Sequence, residues 1–280
     1  MLRSYLSGVR HSARRSWRRA RRQWTAPEIG EREILDALGR LSPAQPRALM
    51  VHSSLSACGL VQGGPLTVIQ ALRTWNAGGT LAMPAHSYCY PTGSHAAPLF
   101  DPESTPSVVG AITEAFRRQP GALRSLHPTH SLAVESVGGP AIIAGHETCA
   151  TPCGADTPYA RLVQMDAAIL MFGTTLDAYT LFHTAEDAAA VAYLYEPQPV
   201  GLRFIDPNGI EHSMTMRKHD MTMTRSFEAK DAWLEERGLL RRVGLGAGQL
   251  LLLPHARQVH DAVVGELRRD PWFLTARHVA

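Results

Sequence analysis

Apolar positions recur along this chain in two rhythms. Short unbroken runs at residues 48–52, 80–84 and 167–172 are bounded by turn residues and have the length of buried strands. Other stretches carry apolar residues three and four apart, the face of an amphipathic helix. Ile34, Leu35, Leu38 and Leu41 mark one such helix, and Leu66, Ile69 and Leu72, beyond Gly63-Gly64-Pro65, mark a second that ends at Gly78-Gly79. Further helices are expected over residues 108–118, from 141 to 146, around Tyr159, Leu162 and Val163, and over 227–240 and 259–267. Strand, loop, helix and strand follow one another between residues 48 and 84, a unit that makes a parallel pair with a right-handed crossover. Residues 132–134 are strand-like, and residues 200–219 form a hairpin around Asp206-Pro207-Asn208-Gly209. The expectation is an α/β fold with a mostly parallel sheet and a small antiparallel addition.

The polar segments between these elements carry the candidate chemistry. Ser53-Ser54-Leu55-Ser56 leaves the first strand towards a helix, where hydroxyls and backbone N–H groups can meet an anion, although it is neither a Walker loop nor a dinucleotide fingerprint. Residues 85–106, rich in His, Tyr, Pro, Ser and Gly, are too long for a plain connection and read as a functional loop. Arg124-Ser125-Leu126-His127-Pro128-Thr129-His130-Ser131 precedes a strand and makes a polar wall, or satisfied loop histidines. The segment Thr180-Leu181-Phe182-His183-Thr184-Ala185-Glu186-Asp187 follows the buried run at 167–172 and a turn at Gly173-Thr174-Thr175. Thr180 is an N-cap candidate, and His183 and Glu186 share a helix face at i, i+3. Such a pair is a general base with its charge partner, or a capped and solvated helix start; the spacing alone leaves both open.

Charge and cysteine content sharpen the class. Residues 1–24 hold eight arginines and no acid, so they carry +8 of a chain whose net charge is +3, and the remainder is at −5. Leu2, Leu6, Val9, Ala13, Trp17, Ala20 and Trp24 space this segment as a basic amphipathic helix suited to weak contact with an anionic surface, or as a solvated arm. We expect residues 1–26 to be a basic tail and 27–280 a single domain. The mildly acidic body suits a cationic small substrate better than nucleic acid. The four cysteines are too few for a disulfide scaffold, no apolar run reaches the roughly 20 residues of a membrane span, and the expected compartment is the cytoplasm.

Four segments, in order and rough spacing, resemble the antibiotic N-acetyltransferases, whose best-known members are the aminoglycoside 3-N-acetyltransferases. They are Val51-His52-Ser53-Ser54-Leu55-Ser56, Gly79-Thr80-Leu81-Ala82-Met83-Pro84, Arg124 through Ser131, and Thr180 through Glu186, with minor matches at Phe100-Asp101-Pro102, Thr157-Pro158 and Asp270-Pro271-Trp272. The resemblance implies a three-layer α/β/α fold, distinct from the GNAT acetyltransferases, with acetyl-CoA as cosubstrate and no metal. It implies transfer to an amine of an aminoglycoside or related amino sugar, with His183 as catalytic base and Glu186 and Asp177 as the acidic positions. The coenzyme contacts then fall on His52, Ser53, Ser54, Leu55 and Ser56, with Arg124, His127, Ser131 and Thr180. A histidine of ordinary pKa near 6.5 suits an amine that must lose a proton as it attacks a thioester. The segment before Thr180 carries no Asn beside the threonine, which keeps a biosynthetic amine as an alternative acceptor, and a non-catalytic binding protein on the same fold as an alternative role.

Two other patterns compete. Arg241-Arg242-Val243-Gly244-Leu245-Gly246 fits the short pyrophosphate loop of GNAT enzymes, but no clear helix follows, and it reads as an ordinary loop. Thirteen histidines raise the question of a zinc hydrolase, yet they are scattered and no H-E-x-x-H or cysteine pair frames them.

Overall fold

The computed structural model describes residues 28–42 and 44–278. The expected basic tail lies outside the described residues. Among those described, strands β1 (Ala48–Ser53), β2 (Thr80–Pro84), β4 (Leu123–Arg124), β5 (Leu132–Glu135), β6 (Ala168–Phe172), β9 (Arg241–Leu245) and β10 (Gly248–Leu253) form a seven-stranded sheet in the order β4-β5-β2-β1-β6-β10-β9. The expected parallel strands occupy the centre: β1 pairs with β2 through Met50↔Ala82 and with β6 through Val51↔Leu170. Both flanks are antiparallel, so the sheet is mixed. The outermost pairs are antiparallel because their connections are short, since β9 turns straight into β10 and β4 into β5 without a crossover helix.

β6 is apolar throughout, and β1 is apolar up to His52 and Ser53 at its end, because both of their faces are covered. Leu49 and Val51 point into one cluster with helix α1 (Glu31–Leu41) and helix α2 (Pro65–Asn76), through Ile34, Leu38, Ile69 and Leu72. Met50 and Met171 point into the other, built on α5 (Pro158–Gln164), α6 (Leu181–Ala188) and α8 (Ala256–Arg269). The first turn of α1 is closed by Glu33, whose carboxylate accepts from the Gly30 N–H at 2.9 Å. In α2 the stripe is Val68, Ile69, Leu72 and Trp75, and Leu66, expected on it, is exposed.

The hairpin appears where expected. Strands β7 (Val200–Ile205) and β8 (Glu211–Met216) pair antiparallel, and β3 (Leu99–Phe100) joins β7 to complete a three-stranded sheet. Asp206 fixes the turn by accepting from the N–H groups of Asn208 and Ile210, each at 2.9 Å. Three helices are shorter than their patterns suggested: α3 (Ala111–Phe116), α4 (Gly139–Ile143) and α7 (Asp231–Glu236). The stretch 241–246, expected as a loop, is the edge strand β9, and Arg242 pairs with Asp231 and Glu235 rather than offering an anion site. All four cysteines are free, buried thiols. Among the described residues no helix is long and apolar enough to cross a membrane.

Candidate active site

β1 and β6 lie side by side and run the same way, so the chain leaves both at one edge of the sheet, the place where α/β sheets bind ligands. The two exits are fastened together: Ser54 N–H donates to the Phe172 carbonyl at 2.8 Å. Gly173 has φ +67°, and a Cβ there would lie 2.6 Å from the Ser54 carbonyl oxygen and 2.8 Å from Cys58 Sγ. Only glycine lets the loops meet this closely. After Gly173 a short 3-10 turn at Leu176–Ala178 leads into α6, which buries Leu181, Phe182, Thr184, Ala185 and Glu186 and leaves His183 on its cavity side.

His183 Nδ1 and Glu186 Oε2 are 2.6 Å apart. Glu186 is fully buried and also faces Arg225, whose Nε lies 3.3 Å from Oε1. Burial opposes the carboxylate charge, but the hydrogen bond and charge of His183, with the Arg225 guanidinium, outweigh it and hold Glu186 below the usual carboxylate range. A carboxylate can only accept, so Nδ1 carries a proton and Nε2 is the ring's remaining polar atom. Nε2 makes no hydrogen bond to a described residue, and His183 lines a cavity of about 170 Å³. His52, Ser53, Asp177 and Thr180 line the same cavity, together with His86, Tyr88, His130 and Phe227.

The expected site residues therefore separate into two groups. His183, Glu186, Asp177, His52, Ser53 and Thr180 come together. Asp177, exposed at the cavity, accepts from the Glu228 N–H at 2.9 Å, and the carboxylate bound to His183 is that of Glu186. Thr180 precedes α6, but its side chain makes no capping hydrogen bond; its carbonyl instead accepts from His183 N–H. His52 is buried and uncharged, its pKa pushed down to about 3 by burial. Ser54, Leu55 and Ser56 continue the loop outside the cavity wall.

Arg124, His127 and Ser131 do not line the cavity. Arg124 donates to Ser131 Oγ and to the carbonyls of Ala85, Pro102 and Thr105, and lies 4.8 Å over the Phe100 ring. These bonds tie the long loop 85–106 to the sheet edge. His127 is fully buried; its Nδ1 accepts from the His130 N–H at 3.0 Å, and its ring lies 4.3 Å from His146.

Arg225 and His219 were not found from the sequence. Arg225 is 39 positions from Glu186 and follows no spacing rule. His219, just past β8, brings its ring to 4.3 Å from that of His183. Among the described residues no three His, Cys, Asp or Glu side chains are grouped to hold a metal ion.

The aminoglycoside 3-N-acetyltransferase family model matches residues 50–265. Aminoglycoside N(3)-acetyltransferase VII of Streptomyces paromomycinus is 32% identical over 239 residues, spanning 76% of this chain and 82% of that protein. A mutant of aminoglycoside acetyltransferase AAC(3)-IVa, solved in complex with a gentamicin, superposes with a TM-score of 0.75 at 28% identity, covering 89% of this chain and 92% of that one. AAC-IIIb, solved as a binary complex with CoASH, superposes with a TM-score of 0.76 at 25% identity, covering 87% and 97%. Matched across most of its length in sequence and in fold, the chain belongs to the aminoglycoside 3-N-acetyltransferase family of acyltransferases.

Proposed function

We propose that this enzyme moves an acetyl group from acetyl-CoA directly onto an amine of an aminoglycoside or a related amino sugar, with His183 as general base. The observation that carries this reading is the hydrogen-bonded chain His183–Glu186–Arg225, which leaves Nε2 of a cavity-lining imidazole without a partner among the described residues. The fold would be a three-layer α/β/α arrangement distinct from the GNAT acetyltransferases, a reading supported by the two apolar clusters packed against the large sheet. The solved relatives support donor and acceptor, one holding CoASH and another a gentamicin.

The chemistry then runs through this chain's own groups. His183 Nε2 takes the proton as the acceptor nitrogen bonds to the thioester carbonyl carbon. Glu186 holds the resulting imidazolium through Nδ1–H, and Arg225 keeps Glu186 ionised inside the protein. Thr180, which α6 does not use as a cap, stands on the cavity wall as a hydroxyl donor for the carbonyl oxygen. When the tetrahedral intermediate collapses, the C–S bond breaks and His183 returns its proton to the departing thiolate. The cavity of about 170 Å³ suits the acetyl thioester head, with the body of the coenzyme along the Ser53 to Ser56 loop outside it. Asp177 at the cavity adds negative charge that attracts the other ammonium groups of a polycationic acceptor, while the attacking nitrogen reacts as the neutral amine.

The test is CoA thiol release with 2-deoxystreptamine aminoglycosides and simple amino sugars. Turnover on an aminoglycoside that falls by about 10²-fold or more in His183→Ala supports the reading. Undiminished amine acetylation by His183→Ala overturns it.

A further inference from the structure

The hydrogen bond to Glu186 fixes His183 at one point. A ring held only at Nδ1 can still rock about that contact and swing Nε2 away from the substrate. Phe227 meets the ring edge-on at 5.4 Å. The other ring contact of His183 among the described residues is His219, whose ring lies 4.3 Å from it with the planes 34° apart. Tyr195 stacks on His219 in turn, at 5.4 Å and 25°.

His219 is itself held from several directions. Tyr195 and His219 form a β-bridge, Glu196 N–H donates to the Lys218 carbonyl at 2.8 Å, and Asp220 N–H donates to the Leu194 carbonyl at 2.9 Å. Arg225 donates to the Asp220 carbonyl at 2.9 Å and reaches Glu186 with its Nε. The segment that carries His219 is thus fastened to the carboxylate that binds His183. His219 is 2% exposed, and its Nε2 is buried with no hydrogen-bond partner among the described residues. A buried polar atom left unpaired costs stability, and an apolar ring of like shape would avoid that cost. Burial, with the neighbouring His183 and His130, holds its pKa well down, so the ring facing His183 is neutral.

We infer that His219 is a positioning residue for acetyl transfer: its ring, stacked on His183, holds the imidazole with Nδ1 on Glu186 and Nε2 towards the cavity. It does not line the cavity and exchanges no proton with substrate. A neutral aromatic face also favours the imidazolium that His183 becomes during the reaction. The inference rests on His183 being the base.

His219→Ala and His219→Phe separate ring from nitrogen. With folding checked by thermal melts, His219→Ala is expected to lose about 10- to 100-fold in kcat, with KM for acetyl-CoA and for the aminoglycoside within about twofold. His219→Phe restores the stack without a titratable atom and is expected to keep kcat within about threefold of wild type. ¹⁵N NMR of the His183 imidazole, assigned by difference against His183→Asn, is expected to show a fixed Nδ1–H form in wild type and an averaged one in His219→Ala. Wild-type kcat in His219→Ala overturns the proposal. So does a folded His219→Phe as impaired as His219→Ala, because the nitrogen would then be the active part. Should His219→Phe not fold, an unaltered His183 NMR signature in a catalytically impaired His219→Ala overturns it as well. Full activity in His183→Ala removes the base reading itself, whereas an enzyme dependent on His183 and indifferent to His219 removes only this inference.

Discussion

Acidification to pH 5.5 should destabilise this protein through its buried histidines. Burial holds His52, His130 and His146 uncharged, with pKa values near 3, against an ordinary value of about 6.5 in the unfolded chain. Between those values the unfolded state binds more protons than the folded one, so stability rises with pH and falls as pH drops below about 6.5. At pH 5.5 each of the three contributes a little over 1 kcal/mol of destabilisation, about 4 kcal/mol together, and the sum grows to about 8 kcal/mol at pH 4.5. His86, His127 and His219, also pushed down by burial and by neighbouring histidines, add in the same direction. A domain of ordinary stability holds about 5–15 kcal/mol in total. The lowered pKa of Glu186 acts in a separate, lower window, its stabilisation being full above about pH 5 and lost as pH falls through its folded value. Urea titrations followed by tryptophan fluorescence at pH 7.5, 6.5 and 5.5 measure the effect. His146→Gln is the control: less stable at pH 7.5, with a pH dependence shallower by about one proton. A loss below about 1 kcal/mol between pH 7.5 and 5.5 would refute the reasoning, because these rings would then have to protonate in place.

Two substitutions probe the site. Glu186→Gln keeps the shape and removes the charge; with about 4 Å between carboxylate and imidazolium and an effective dielectric of about 20, the lost attraction has a ceiling of about 4 kcal/mol, so kcat should fall about 10²- to 10³-fold, and wild-type turnover would show that the pair is merely structural. Gly173→Ala places a Cβ 2.6 Å from the Ser54 carbonyl oxygen at a positive φ, so it should cost about 2 kcal/mol or more in a denaturant titration and raise KM for acetyl-CoA; an unchanged melting curve would mean that the two strand exits need no close approach.

Local signals were legible in the sequence where one element makes them. The i, i+3 spacing of His183 and Glu186 put both on α6, and Asp206-Pro207-Asn208-Gly209 announced the hairpin because its turn is closed by a neighbouring side chain. The strand runs were readable because β1 and β6 are buried on both faces. What depends on distant pairing was not. His219 reaches the site through backbone bonds between residues 194–196 and 218–220, and Arg225 through a bridge to Thr275, which leave no periodic trace. Arg124 has the residue type of an anion ligand, yet its donors are directed at the carbonyls of another loop. The residues of β9 read as a loop because its glycine and two arginines suit a turn as well as an exposed edge strand. The antiparallel flanks were hidden because direction is decided by connection length and packing, which a strand's own residues do not encode.

The buried thiols bear on how this enzyme can be assayed. Burial pushes Cys58 up to about 12 and Cys149 up to about 11, and raises Cys89 and Cys153 as well. The thiolate is the reactive form, so at pH 7 to 8 each of these side chains is almost entirely in its unreactive state and shielded from reagent. None lines the cavity, so a thioester bound there meets no thiol that would compete with an amine for its acetyl group. A disulfide reagent in the reaction mixture should therefore register coenzyme thiol as it is released, with the folded protein contributing almost no signal. A slow rise from enzyme alone would then serve as a direct gauge of unfolding.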